Sequence, residues 1–500
     1  MSSARLFLVP IDALPELSVK EWRDTLTRAL LSGCRVVTMF GRGSGDRVTI
    51  TAIVERTGGD LTALRTVAPR DSGYHALTPE LPSLHCFERE IHEQTGLRIA
   101  GHPWLKPVRF ETTGPEGRDR YPFYEIRGKE VHEVAVGPIH AGVIEPGTFR
   151  FMCLGEQVHH LEVHLGYQHR GVEKLLLARP ADKLAPLVET IAGDTSIAHT
   201  WAYAAAIEAL AETIVSHEVD TTRGVMLELE RIGMHLGSLA GLAADLGFLQ
   251  GASTYGRLRT TAINTSMQLC GSRFGRGAIR PGGSGVKLEA LPGLAEAASG
   301  VFTAADLHRN LKLLSDDVAI IDDRFLSAGT VQRRLKGVGT VPSALADEIG
   351  LVGLAARASG LGCDLRRLAG GVYERHPIAT CVESDGDCWA RTRLRIAEVG
   401  RSLAWLSSVT EASDFAWKPT RAQIGPLAPR HLVVTMTEGS RGEVVHALET
   451  DSDGGLAHYK VQDPSFRNWL GLALAVRENE ISDFPVCNKS FDLSYCGHDL

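Results

Sequence analysis

Five hundred residues exceed what one hydrophobic core usually holds, so the chain reads as two domains or as one large domain with an appendage. Its 44% apolar and 23% charged residues describe a folded chain, and a formal charge of −7 gives no reason to expect nucleic acid, which would call for a clustered basic face. Nine scattered cysteines with no Cys-x-x-Cys spacing argue for reduced thiols in a cytosol and against a disulfide framework.

The start, MSSARLFLVPIDALPEL, is broken by Pro10 and Asp12 and is too short in apolar residues for a signal peptide. No apolar run of about 20 residues follows anywhere, so the chain offers no membrane span of its own. Ser18 and Glu21 make a capping box, and Val19, Trp22, Leu26, Ala29 and Leu30 keep a helical period that Gly33 ends. Three strand-like runs (CRVVTMF, RVTITAIVE, LTALRTV) and a helix from Ser83 to Gln94 complete a small α+β domain, which ends near Gly128.

From Val134 the chain turns to strands. His140, His159, His160, His164 and His169 crowd this stretch, yet neither His-Glu-x-x-His nor paired Cys-x-x-Cys is present to make donors converge on a metal. His160, Glu162 and His164 alternate, which puts them on one strand face, expected to be solvated. Long helices follow. In the second of them Val225, Leu229, Ile232, Leu236 and Leu239 form the apolar stripe, and Glu228, Glu230 and Arg231 are expected largely off it. The Gly-rich stretch 275–285 matches no phosphate-loop text and reads as a turn. VVTMTEG, GEVVHALE and LAHYKVQ read as a β-ribbon, then a helix from Phe466 to Asn479 leads into the tail DFPVCNKSFDLSYCGHDL. Phe484, Phe491, Leu493 and Tyr495 give that tail apolar area with which to dock.

GPIHAGVIEPGTFRF followed by GYQHRGVEKL resembles the start of the large subunit of membrane-bound [NiFe] hydrogenases of the formate hydrogenlyase type. The same fold serves as the 49-kDa, quinone-site subunit of respiratory NADH:quinone oxidoreductase. LELERIGMHLGSLAGLAADLGF, GSRFGRGAIRPGGSG and GDCWARTRLRIAEVGRS continue the likeness in order. FEREIHEQTGLRIAGHPWLKPVRF resembles the 30-kDa subunit that such large subunits carry as an amino-terminal fusion. The resemblance implies an α+β fold: residues 1–128 as the 30-kDa-like domain and 129–500 as a largely helical hydrogenase-like core with a β-ribbon.

The resemblance also implies a site, and departures from it. The hydrogenases' four nickel thiolates fall on Ala192 and Thr195, in Ile191-Ala192-Gly193-Asp194-Thr195, and on Ser465 and Asn468, after Asp463-Pro464. Nickel and iron in such a site need soft thiolate donors, so no metal centre and no hydrogenase chemistry is expected of this chain. The histidine and tyrosine that bind a quinone in the respiratory subunit fall on Ile144 and Gly193. His140, Glu145, Asp194 and Arg441 remain, either as a proton relay or as a satisfied polar core. Arg170 and His235 match groups that lie against the terminal [4Fe–4S] cluster of a partner subunit.

The function implied is the large subunit of a membrane-attached oxidoreductase complex without nickel. It would pass electrons between a partner's [4Fe–4S] cluster and a quinone-like or unidentified acceptor, while binding no cofactor outright. Its partners would be an iron–sulfur small subunit and membrane subunits, placing it on the cytoplasmic face of the cell membrane. The alternative is a non-catalytic subunit that serves assembly or coupling.

Overall fold

A computed structural model describes residues 4–111, 123–141, 144–286, 304–411 and 421–500. Part of the polar segment around the expected domain boundary lies outside these residues.

The amino-terminal unit is built on helix α1 (Val19–Leu31), whose start has the expected reciprocal Ser18–Glu21 capping box. Strands β2 (Glu16–Leu17), β3 (Arg35–Ser44), β4 (Arg47–Glu55) and β5 (Leu61–Pro69) form a sheet in the order β2-β5-β4-β3. One face packs Val36, Ile50 and Val54 against Trp22 and Leu26 of α1 and against Phe87 and Ile91 of α2 (His85–Thr95). Alternation, shifted by a bulge between Val36 and Thr38 of β3, places Val37, Phe40 and Ile53 on the opposite face. That face does not meet water. It packs on Leu432, Val434, Val445 and Ala447 of the carboxyl-terminal ribbon.

The joining of the two units goes further. Strand β1 (Arg5–Pro10) leaves its own unit and pairs antiparallel with β9 (His431–Glu438), from Arg5 opposite Met436 to Pro10 opposite His431. With β10 (Glu443–Thr450) and β11 (Leu456–Gln462) they form the sheet β1-β9-β10-β11.

Strands β6 (Val131–Val136), β7 (Thr148–Leu154) and β8 (Gln157–His164) form a meander with β7 central. The face carrying Glu162 and His164 is buried rather than solvated. Residues of the amino-terminal unit cover it: Lys106 donates to Glu162 at 3.0 Å, and Phe110 lies 4.6 Å from the His164 ring.

Five long helices carry the main core: α3 (Ser196–Leu210), α4 (His217–Asp245), α5 (Leu249–Cys270), α6 (Ala304–Ser327) and α7 (Cys388–Glu411). Contrary to the stripe reading, Glu228, Glu230 and Arg231 of α4 are all buried. Burial on every side is tolerable because each charge is paired or hydrogen-bonded. Glu228 receives Arg231, Arg366, Tyr373 and Ser402, and Arg231 also donates to the carbonyl of Gly439.

Helix α8 (Pro464–Ala475), N-capped by Asp463, leads to the tail helices α9 (Phe484–Phe491) and α10 (Tyr495–Asp499). The tail docks as expected, with Phe484, Phe491, Leu493 and Tyr495 buried, on the order of 1.5–3 kcal/mol for each such side chain. Asp499 fastens its end by accepting the N–H groups of Gly166 and Gln168 at 2.7 and 2.9 Å.

Candidate functional site

The β9–β10 hairpin closes on a tight turn in which the Gly439 N–H meets the Gly442 carbonyl at 2.8 Å. The turn lifts Arg441 off the sheet toward the loop before α3. A Cβ on Gly353 (φ +61°) would lie 2.2 Å from the Arg441 carbonyl, so only glycine lets that neighbouring segment pack under the turn. Arg441 then makes a two-pronged pair with Asp194, at 2.9 and 2.7 Å, and donates to Thr195 Oγ1 at 3.1 Å. Its Nε donates to the carbonyl of Asp492 in the tail. Burial would raise the Asp194 carboxyl, but the guanidinium outweighs it and holds Asp194 below the usual carboxylate range.

Arg441 also lines a cavity of about 420 Å³ with His140, Ile144, Glu145, Phe149 and Tyr495. Three of the four expected pocket residues thus share one cavity, and Asp194 joins them through Arg441. The polar groups are engaged separately. His140 Nε2 contacts the Gly147 carbonyl at 2.8 Å, and Glu145 accepts the Tyr495 N–H at 3.2 Å. No hydrogen bond joins His140 to Glu145 among the described residues.

The four positions matched to nickel ligands present no converging donor set. Ala192 has no donor atom. Thr195 Oγ1 is held between Arg441 and Asp194. Ser465 Oγ accepts the Ser494 N–H at 2.9 Å, and the Asn468 amide spans both backbone groups of Val352 at 3.0 and 3.1 Å. Among the described residues no three His, Cys, Asp or Glu side chains are grouped as a metal site. The tail adds Asp492 and Tyr495 to the cavity lining and sets Cys496 beside Glu145. Burial, reinforced by the Glu145 carboxylate, pushes the Cys496 thiol up to about 11.

Arg170 and His235 occupy different settings. Arg170 is exposed, and its guanidinium donates to the carbonyls of Thr190, Ile191 and Cys496 while its N–H meets the Leu500 carbonyl. It therefore ties the loop that ends in Asp194 to the tail. His235 is 2% exposed in the middle of α4, with Nε2 2.9 Å from Glu398 on α7. Burial drives its pKa down to about 4 against the opposing pull of Glu398, so the imidazole is neutral at physiological pH. Glu398 also holds Arg357 at 2.6 Å and Arg231 at 3.5 Å.

Sequence reasoning missed two features. Glu230 takes the N–H groups of Ile197 and Ala198 at the start of α3, and burial pushes its carboxyl up to about 8. It shares a small cavity with Asp194. The second is a wholly buried chain of hydrogen bonds in which Asp463 meets His199 at 3.2 Å, His199 meets His446 at 3.1 Å, and His446 meets the Tyr459 hydroxyl at 2.8 Å. With Asp463 ionised, both imidazoles neutral and Tyr459 donating, every donor points toward the carboxylate. Only Asp463 lay in a motif; His199, His446 and Tyr459 come from three separate elements.

Residues 245–415 match the family model described as the 49-kDa subunit of respiratory-chain NADH dehydrogenase. Formate hydrogenlyase subunit 5 of Escherichia coli is 27% identical over 446 residues, covering 84% of this chain and 76% of that protein. NADH-quinone oxidoreductase subunit 4 of Thermus thermophilus is 30% identical over 398 residues, covering 73% of this chain and 92% of the relative. Among solved structures, a chain of an archaeal respiratory membrane complex, the membrane-bound sulfane sulfur reductase, superposes with a TM-score of 0.66 at 21% identity. The match covers 76% of this chain and all of that one, a likeness of fold.

Proposed function

We propose that this chain, which belongs to the family of the respiratory-chain 49-kDa subunit and the large subunits of hydrogenase complexes, is a redox subunit of such a complex that works without nickel and iron of its own. Its relatives are subunits of hydrogenase-related and complex I-like membrane complexes, and no described helix is long and apolar enough to cross a membrane. In this reading it sits peripherally, beside an iron–sulfur small subunit and membrane subunits.

The observation that carries the proposal is the donor set. The four positions offer an alanine, two hydroxyls and an amide, and their polar atoms serve internal hydrogen bonds. Such a set does not fit a hydrogenase-type nickel–iron centre, which is held by soft thiolates, and an alanine offers no donor at all. A [4Fe–4S] cluster in the partner would supply one-electron transfer. On this chain, Arg170 would present fixed positive charge at the surface facing it, while His235 lies in a buried network behind. The cavity at His140, Glu145 and Arg441 is the candidate place for a quinone-like or other acceptor, with Glu230, in the small cavity it shares with Asp194, as a group able to hold a proton.

A second reading is favoured by how fully these groups satisfy one another. Arg441 is paired with Asp194, and Arg170 is spent on carbonyl oxygens. That pattern suits a subunit retained for assembly or coupling. Elemental analysis of the purified complex, with a hydrogen electrode assay, tests the nickel-free proposal. Iron from partner clusters with no stoichiometric nickel and no hydrogen turnover is expected; one nickel per chain would overturn it.

A further inference from the structure

A second cavity, of about 210 Å³, lies in the seam between the amino-terminal unit and the core. Helix α8 contributes Phe466, Trp469, Leu470, Ala473 and Leu474, spaced as one helical stripe. Leu161, Val163 and Leu165 extend this apolar wall from β8 and the residue beyond it.

Beside His85, His160 and His498, its permanently charged lining is of one sign. No aspartate or glutamate lines it among the described residues, while Arg89, Lys106 and Arg477 do, in a chain whose net charge is negative. Lys106 is paired with Glu162. Among the described residues Arg89 donates to the carbonyls of Lys106 and Pro107, at 2.6 and 3.2 Å, and it lies 5.2 Å from the Trp104 ring. Arg477, exposed just past the end of α8, meets His160 Nδ1 at 3.3 Å. Neither arginine has a carboxylate partner among the described residues. Trp469, 5% exposed, leaves its buried indole N–H without a hydrogen-bond partner. The buried unmatched donor is costly unless a ligand supplies an acceptor, and the two guanidinium groups, free of carboxylate partners among the described residues, stand beside the same apolar wall.

We propose that this cavity binds an amphiphilic anion, with its apolar chain or ring against the α8 stripe and its carboxylate or phosphate head at Arg89 and Arg477. Guanidinium groups hold both head groups by paired, charge-assisted hydrogen bonds, and the stripe gains from apolar area removed from water. The site has a direct link to the candidate pocket. The Trp469 ring packs edge-on against Tyr495 at 4.9 Å and lies 6.2 Å from Phe149, and both of these line the larger cavity.

The test is titration of the full chain in detergent-free buffer with octanoate, octyl phosphate, octyl glucoside and inorganic phosphate, followed by calorimetry and tryptophan fluorescence. Saturable one-to-one binding of octanoate or octyl phosphate is expected, and the tighter of the two identifies the head group. Octyl glucoside and inorganic phosphate should each bind at least about tenfold more weakly, since each lacks one half of the recognition. Arg477→Gln, at an exposed position, should weaken the anions by about tenfold and leave octyl glucoside unchanged. Leu474→Trp should fill the cavity and abolish binding, with circular dichroism unchanged. The proposal fails if no ligand saturates, if octyl glucoside or inorganic phosphate binds as tightly as the amphiphilic anions, or if neither substitution alters binding.

Discussion

His235 offers a prediction whose size can be worked from its surroundings. It lies 2% exposed inside α4, against Glu398, and burial lowers its pKa from 6.5 to about 4 although Glu398 opposes the change. Between those values the unfolded chain binds a proton that the native chain refuses, so stability rises with pH. The contribution is complete above pH 6.5 and lost by about pH 4. At about 1.4 kcal/mol for each pH unit, the gap is worth about 3 kcal/mol. His235→Gln keeps an N–H donor for Glu398 but cannot titrate in this range. Equilibrium urea unfolding followed by tryptophan fluorescence, at pH values from 4 to 7, measures the effect. The stability difference between native and variant should change by about 3 kcal/mol across that window, with native protein losing more on acidification. Other histidines with lowered pKa, such as His102, titrate in both proteins and cancel. Parallel stability curves would mean that His235 takes up its proton equally in the folded and unfolded chain, contrary to its burial.

Asp194→Asn leaves Arg441 without its carboxylate and should destabilise the chain by about 1–3 kcal/mol, less than a fully buried pair because Asp194 is partly exposed. Because the Asp194 pKa is lowered, the native protein's advantage should be present above the usual carboxylate range and fade as pH falls below it, which urea unfolding of both proteins at pH 3 and 7 would reveal. Asp499→Ala removes the acceptor for two backbone N–H groups, costs about 2–3 kcal/mol, and should make the tail beyond Phe491 the first site cut in limited proteolysis.

Local features were legible because they need only local residues. The Ser18–Glu21 box, the strands of the amino-terminal sheet and the β9–β11 ribbon all follow from caps, alternation and turns. The pairing of β1 with β9 was not, since nothing in RLFLVP names a partner more than four hundred residues away. A helical stripe also says nothing about burial of the opposite face, which is why Glu228, Glu230 and Arg231 read as peripheral. At the site, the motifs supplied Asp194, Arg441, Glu145 and His140 individually. That Arg441 is already spent on Asp194, and that Asp492 and Tyr495 line the pocket, depends on where the hairpin turn and the tail fold back. The His199–His446 contact joins α3 to β10, and no sequence period registers such a crossing.

The proposed redox role requires that this chain border a partner's [4Fe–4S] cluster. Redox titration of that cluster's signal in the purified complex, at several pH values, tests it most directly. Reduction adds negative charge and favours imidazolium, so the midpoint potential should fall as pH rises, by up to about 59 mV per unit for one electron with one proton. His235→Gln should flatten that slope, and Arg170→Met should lower the potential while leaving more of the slope, because a guanidinium keeps its charge throughout. A potential that ignores pH and is moved by neither substitution would contradict the claim and leave the chain as a structural subunit.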